Sequence, residues 1–152
     1  MGNVIIAKPS ELTPLTAHLL AEVCQDIGLP EGVVNIVNGY GPEVGQEILE
    51  HEGIKAISFT GGTATGRHVA STAAPMFKKL SLELGGKNAT IVLDDAEMNQ
   101  AVQGAIRAGF TNSGQVCLCG SRILVHESIA DEFTQHLVAQ VSAMQCGDPN
   151  HP

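Results

Sequence analysis

Phe59-Thr60-Gly61-Gly62-Thr63-Ala64-Thr65-Gly66 is the stretch that decides the fold. An apolar run over residues 56–60 stops at two glycines, and a helical pattern opens at Thr63 and reaches about residue 73. Strand, glycine turn and helix together form the repeating unit of a parallel sheet covered by helices. The two glycines leave backbone N–H groups open beside a helix N-terminus, where the dipole and the unpaired donors attract anions. No Lys follows Gly66, so the stretch is not a P-loop. Taken alone, a plain glycine turn accounts for the same residues equally well.

The same alternation extends outward in both directions. Strands are expected over residues 4–8, 33–37, 80–84, 89–93 and 122–126, in addition to 56–60. Thr13-Pro14 reads as an N-cap and first helical residue for a helix to Asp26, with Leu15, Leu19, Leu20 and Val23 on one face and Gly28 ending it. Further helices fit residues 42–51, 95–111 with Asp95 as cap, and a last one to about residue 144 opened by a Ser128–Asp131 capping box. The fold class is α/β, a Rossmann-like parallel sheet with flanking helices. Gly85-Gly86 is the expected domain junction, separating residues 1–84 from the start of a second α/β domain over 85–152.

Composition sets limits. A chain of 152 residues with 43% hydrophobic and 16% charged residues can bury a core, which with 3% aromatics and no Trp must be aliphatic. A net charge of −8 argues against nucleic acid or an anionic membrane surface as the main partner. It does not exclude an anionic dinucleotide, which local N–H groups can hold. The sequence has no apolar run long enough to span a membrane and no signal-peptide pattern, so a reducing cytoplasm is the expected compartment. Cys24, Cys117, Cys119 and Cys146 lack disulfide or zinc spacing, so free thiols and no bound metal are expected.

Three further motifs bear on chemistry. Lys8 and Glu11 follow the first strand, at the edge where open α/β sheets bind ligands. Glu11 suits ribose hydroxyls and would repel a 2′-phosphate, favouring NAD over NADP, although a solvated Lys and Glu are the commoner reading of such a pair. Gly39-Tyr40-Gly41-Pro42-Glu43-Val44-Gly45 is one residue longer than a dinucleotide fingerprint and follows the second strand, so a tight turn explains it equally well. Glu83-Leu84-Gly85-Gly86-Lys87-Asn88 and Gly114-Gln115-Val116-Cys117 supply a carboxylate and a thiol. A thiolate attacks carbonyl carbon, and a carboxylate can activate water against the resulting thioester. An isolated Cys is more often a small core residue, but Cys117 lies in a polar loop, whereas Cys119 is expected to pack beneath it.

These stretches, with Asn3-Val4-Ile5-Ile6-Ala7-Lys8-Pro9-Ser10-Glu11 and Gly28-Leu29-Pro30-Glu31-Gly32-Val33-Val34-Asn35, stand in the order and spacing of NAD(P)-dependent aldehyde dehydrogenases. The chain resembles that family over essentially its whole length. The resemblance implies that Lys8 and Glu11 contact the adenosine ribose, that Thr60, Gly61 and Gly62 form the loop beneath pyrophosphate and nicotinamide, and that Glu83 is the general base and Cys117 the nucleophile. It implies NAD as cofactor, a small aldehyde as substrate, oxidation to a carboxylic acid through a thiohemiacetal and thioester, and a homo-oligomer for the full-length protein.

Two departures qualify it. Most members carry Ser where this chain has Gly62, and the Gly form, with Val116-Cys117-Leu118-Cys119, resembles the hydroxymuconic and aminomuconic semialdehyde dehydrogenases. Members are also considerably longer. By comparison this chain begins after the oxyanion-hole Asn and stops before the acidic residue that grips the nicotinamide ribose and before the oligomerisation strand. A truncated chain is therefore expected, inactive alone, with unpaired sheet edges and uncovered apolar surface. The alternative is a non-catalytic nucleotide-binding or assembly module derived from such an enzyme. A thiol esterase or redox protein using Cys117 is a poorer fit.

Overall fold

The computed structural model describes residues 2–148 and 150; Met1, Pro149, His151 and Pro152, three of them in the expected second domain, lie outside the described residues. The chain divides into two compact units, Met1–Thr60 with Ala64–Leu82, and Gly61–Thr63 with Glu83–Pro152. Among the described residues the strands pair as three two-stranded sheets, within the expected α/β alternation.

In the first unit, β1 (Ile5–Ala7) and β2 (Val34–Ile36) run parallel, with Ile5 opposite Val34 and Ala7 opposite Ile36. Parallel strands need a crossover, which α1 (Leu15–Asp26) supplies. Pro14 occupies the cap position of α1 in helical backbone with no side-chain cap. The expected Thr13 cap is therefore incorrect: Thr13 lies one residue before the cap position, in a turn closed by its N–H on Ser10 O at 3.1 Å. The far end closes as expected. Gly28 takes φ 71°, its N–H bonds Gln25 O, and Leu29 N–H bonds Cys24 O, which satisfies two orphan carbonyls. The apolar face of α1 is uncovered: Leu15 is 75% exposed, and Leu19, Leu20 and Val23 are each more than half exposed.

The single helix expected over residues 42–51 is instead a wide π turn, Gly41–Gly45, followed by α2 (Gln46–Glu50). The cause is local: Tyr40 O accepts from the N–H groups of Glu43, Val44 and Gly45, and Pro42 has no N–H to give. Next come β3 (Ala56–Gly61), α3 (Thr63–Ala73) and β4 (Lys79–Leu84), with β3 paired to β4. Leu49, Ile57 and Val69 form the core of this unit, flanked by Ile48, Ile54, Phe59 and Leu82. Lys78 is buried beside it, its Nζ donating to Leu49 O at 2.5 Å and His51 O at 2.8 Å, which caps the carbonyl end of α2 with a cation.

In the second unit, β5 (Ala89–Val92) and β6 (Arg122–Val125) are parallel, with Ala89 opposite Arg122. The crossover is α4 (Met98–Phe110), and α5 (Ala130–Ser142) follows β6. Val92, Val102, Ala105 and Phe133 make the core, with Val102 and Phe133 essentially inaccessible. Asp95 does not cap α4. Residues 93–96 close a turn, Ala96 N–H to Leu93 O, so the helix starts later, and the Glu97 carboxylate accepts from Asn99 N and Gln100 N at 3.2 and 2.8 Å. Ser128 does not cap α5 either, because residues 127–129 form a 3-10 turn in which His126 Nδ1 faces Ser128.

Candidate active site

Because β1 and β2 are parallel, the loops that leave them lie on the same sheet edge, and Lys8 joins the two. Its Nζ donates to Pro9 O at 2.6 Å and to Gly39 O at 3.0 Å, and lies 3.8 Å from Glu11 Oε2. An ammonium has three protons, and 3.8 Å is too long for a hydrogen bond, so one donor of Lys8 and the carboxylate of Glu11 stay available to a ligand. The Gly39 turn is built tightly around this contact: a Cβ at Gly39 would meet Val44 Cγ2 at 2.3 Å, with φ at 150°. Gly39 therefore serves the turn, and its carbonyl the seating of Lys8.

Thr60, at the end of β3, is exposed and belongs to the first unit, while Gly61 and Gly62 belong to the second. A Cβ at Gly62 would meet nothing within 4 Å, and its φ is not in the left-handed region. Sterics in this chain do not demand glycine there.

Glu83 and Cys117 are both exposed and both lie in the second unit. Glu83 stands near the end of β4, before the Gly85-Gly86 break. The loop that carries Cys117 leaves α4 through Thr111 to Gly114, where Asn112, Ser113 and Gly114 have φ of 53°, 57° and 71°. Two consecutive non-glycine residues in this region store strain. Asn112 Nδ2 offsets part of it by donating to Gln115 O at 3.1 Å.

Residues 116–119 then form a β-turn, Cys119 N–H to Val116 O at 2.9 Å, which places Cys117 at its outer corner as a free thiol. Cys119 packs beneath the loop as expected, buried, with its Sγ on Gly109 O at 3.3 Å. Gly120 N–H to Ala108 O fastens the loop's far side to α4. A hollow of about 240 Å³ lies behind the loop, lined by Arg107, Ala108, Thr111, Val116, Leu118 and Cys119.

Sequence reasoning missed one partner of this loop. Asn88 Nδ2 donates to Cys117 O at 2.7 Å, so the segment that follows Glu83 is tied to the thiol's own residue. Nothing local in the sequence marks a contact across that separation. Among the described residues, no cluster of three or more His, Cys, Asp and Glu could hold a metal, and no helix is long and apolar enough to cross a membrane.

The family described as the aldehyde dehydrogenase family matches residues 1–152. A 2-aminomuconic semialdehyde dehydrogenase of Danio rerio is 45% identical over 151 residues, and a 2-hydroxymuconic semialdehyde dehydrogenase of Pseudomonas putida is 47% identical over 152 residues. Each match covers 99% of this chain and 31% of the relative, so the chain spans about a third of their length. Among solved structures, betaine aldehyde dehydrogenase of Staphylococcus aureus in complex with NAD+ superposes with a TM-score of 0.91 at 43% identity, over 95% of this chain and 29% of that one. An NADP-dependent enzyme of E. coli gives the same TM-score at 39% identity, over 95% and 30%.

Proposed function

The chain belongs to the aldehyde dehydrogenase family, and on that premise we propose that a subunit containing residues 1–152 oxidises an aldehyde to a carboxylic acid, with Cys117 as nucleophile and Glu83 as general base. The observation that carries the proposal is the contrast within one loop: the Cys117 thiol is exposed at the corner of a turn while Cys119 is buried beneath it. The thiolate of Cys117 adds to the aldehyde carbon, giving a thiohemiacetal whose oxyanion the Cys117 N–H helps to hold. Bound NAD supplies the hydride acceptor that turns this adduct into a thioester. Glu83 then takes a proton from water as it attacks the thioester, releasing the acid and restoring the thiol.

The residues at the sheet edge fit such a cofactor. The spare donor of Lys8 and the carboxylate of Glu11 suit the two hydroxyls of an adenosine ribose, and Glu11 disfavours a 2′-phosphate, so NAD is preferred to NADP. Backbone N–H groups at Gly61 and Gly62, with the Thr60 hydroxyl, suit pyrophosphate and the nicotinamide side. The semialdehydes named for the two relatives are the proposed substrate class. Residues 1–84 act as the cofactor-binding part and 85–152 as the start of the catalytic part.

NADH formation by a subunit containing these residues, with 2-hydroxymuconic semialdehyde and NAD, tests the reading. Cys117→Ala abolishes it, and undiminished turnover by that variant overturns the assignment.

A further inference from the structure

We propose that Asn88 is a positioning residue that holds the orientation of the Cys117–Leu118 peptide, and so fixes the nucleophile's backbone in the observed turn geometry. The inference rests on the reading of Cys117 as the reactive thiol. In the turn over residues 116–119, the bond from Cys119 N–H to Val116 O closes the ends and leaves the central peptide unpaired. That central peptide is what distinguishes the two common turn types: flipping it moves ψ of the second residue from about −30° to about +120° and drives φ of the third, Leu118, to about +80°, which is costly for a leucine. The second residue here is Cys117. Leu118 therefore disfavours a full flip, and what the closing bond leaves free is the tilt of the central peptide at Cys117, the residue that carries the thiol.

Asn88 restrains that tilt. Its Nδ2 donates to Cys117 O at 2.7 Å, and that carbonyl is the acceptor of the central peptide. A flipped peptide would aim Leu118 N–H at the amide nitrogen, two donors face to face, so the bond favours one orientation and penalises the other.

Asn88 is itself held firmly. Arg122 N–H donates to Asn88 O at 3.2 Å, and Arg122 Nε donates to Lys87 O at 3.0 Å, fixing residues 87–88 at the head of the β5–β6 pair. The loop's other anchors, Cys119 Sγ on Gly109 O and Gly120 N–H on Ala108 O, hold the base of the loop but do not touch the central peptide. Removing the Asn88 amide thus releases the orientation of Cys117 while leaving the loop docked. Because residues 83–88 form one continuous segment, the same residue that orients the thiol stands five places from the carboxylate of Glu83.

The test reads each thiol separately. The 152-residue chain is alkylated with iodoacetamide under pseudo-first-order conditions, and labelling of Cys117, Cys119 and Cys146 is followed by peptide mass spectrometry. Asn88→Ala changes the Cys117 rate about threefold or more, while Cys119 stays protected and Cys146 keeps its rate. Asn88→Gln, which retains the amide donor, returns the Cys117 rate toward the parent value. An unchanged Cys117 rate in Asn88→Ala overturns the proposal. So does exposure of Cys119 in both variants, which would make Asn88 a simple structural staple.

In a subunit containing these residues, Asn88→Ala lowers kcat about tenfold or more without raising KM for NAD. Alkylation needs neither aldehyde nor NAD, so a failure of the dehydrogenase reading leaves this first measurement standing on its own.

Discussion

Gly120→Ala tests how the Cys117 loop is seated. A Cβ at Gly120 would stand 2.2 Å from Thr90 Oγ1, 3.2 Å from Ala108 Cβ and 3.5 Å from Thr90 Cβ. Backbone strain is not the issue, since φ at Gly120 is outside the left-handed region. Retreat of the loop is blocked, because Gly120 N–H holds Ala108 O at 2.9 Å and Cys119 is buried next to it. The methyl must therefore be accommodated by rotating Thr90 out of β5 or by breaking that hydrogen bond. Overpacking of this kind costs about 1–3 kcal/mol. Replacing glycine also restricts the unfolded chain, which offsets about 0.4–1 kcal/mol. The net expectation is a loss of about 1–2 kcal/mol.

Urea unfolding followed by circular dichroism on the parent, Gly120→Ala, Thr90→Ala and the double variant separates the terms. If the clash is with Thr90 Oγ1, the double variant is more stable than the sum of the single effects by about 1 kcal/mol. Additive single effects would refute the argument, because the penalty would then lie elsewhere than in the Thr90 contact.

Three other outcomes are expected. Glu11→Gln removes the charge that opposes a 2′-phosphate, so the ratio of kcat/KM for NADP to that for NAD rises in a subunit containing these residues; an unchanged ratio would remove Glu11 from cofactor choice. Gly62→Ser leaves the unfolding free energy of the chain, read from urea titration, within about 0.5 kcal/mol of the parent, since open space surrounds the new Cβ, and a larger loss would show that the loop needs glycine. Phe133→Ala empties the centre of the second unit's core and costs about 3–5 kcal/mol by the same unfolding measurement.

Much of the fold is legible in the sequence because apolar runs and glycine punctuation are local signals. The Gly28 terminus of α1, the strand ending at Gly61 and the burial of Cys119 beneath an exposed Cys117 all follow from them. The helix starts are less legible. Thr13, Asp95 and Ser128 have the right chemistry for caps, but each is drawn into a turn just before its helix, and in one case a longer side chain, Glu97, reaches the free N–H groups instead.

Contacts that depend on distant residues leave no local trace. No local pattern sets Lys78 apart from its neighbour Lys79, yet its side chain is buried on the carbonyls of Leu49 and His51. Asn88 was part of a recognisable run, but its hydrogen bond to Cys117 O exists only once β5 and β6 are paired. The candidate nucleophile and base could be named from residue type and motif; what orients the nucleophile could not.

The most direct test of the central claim is to trap the acyl-enzyme. In a subunit containing these residues, Glu83→Gln retains the thiol but lacks the base, so mixing it with NAD and 2-hydroxymuconic semialdehyde should form about one NADH per site and then stop. Mass spectrometry of the quenched protein is predicted to show the substrate's acyl group on the peptide carrying Cys117. Continued turnover with no adduct, or an adduct on Cys119 or Cys146 in place of Cys117, would contradict the account.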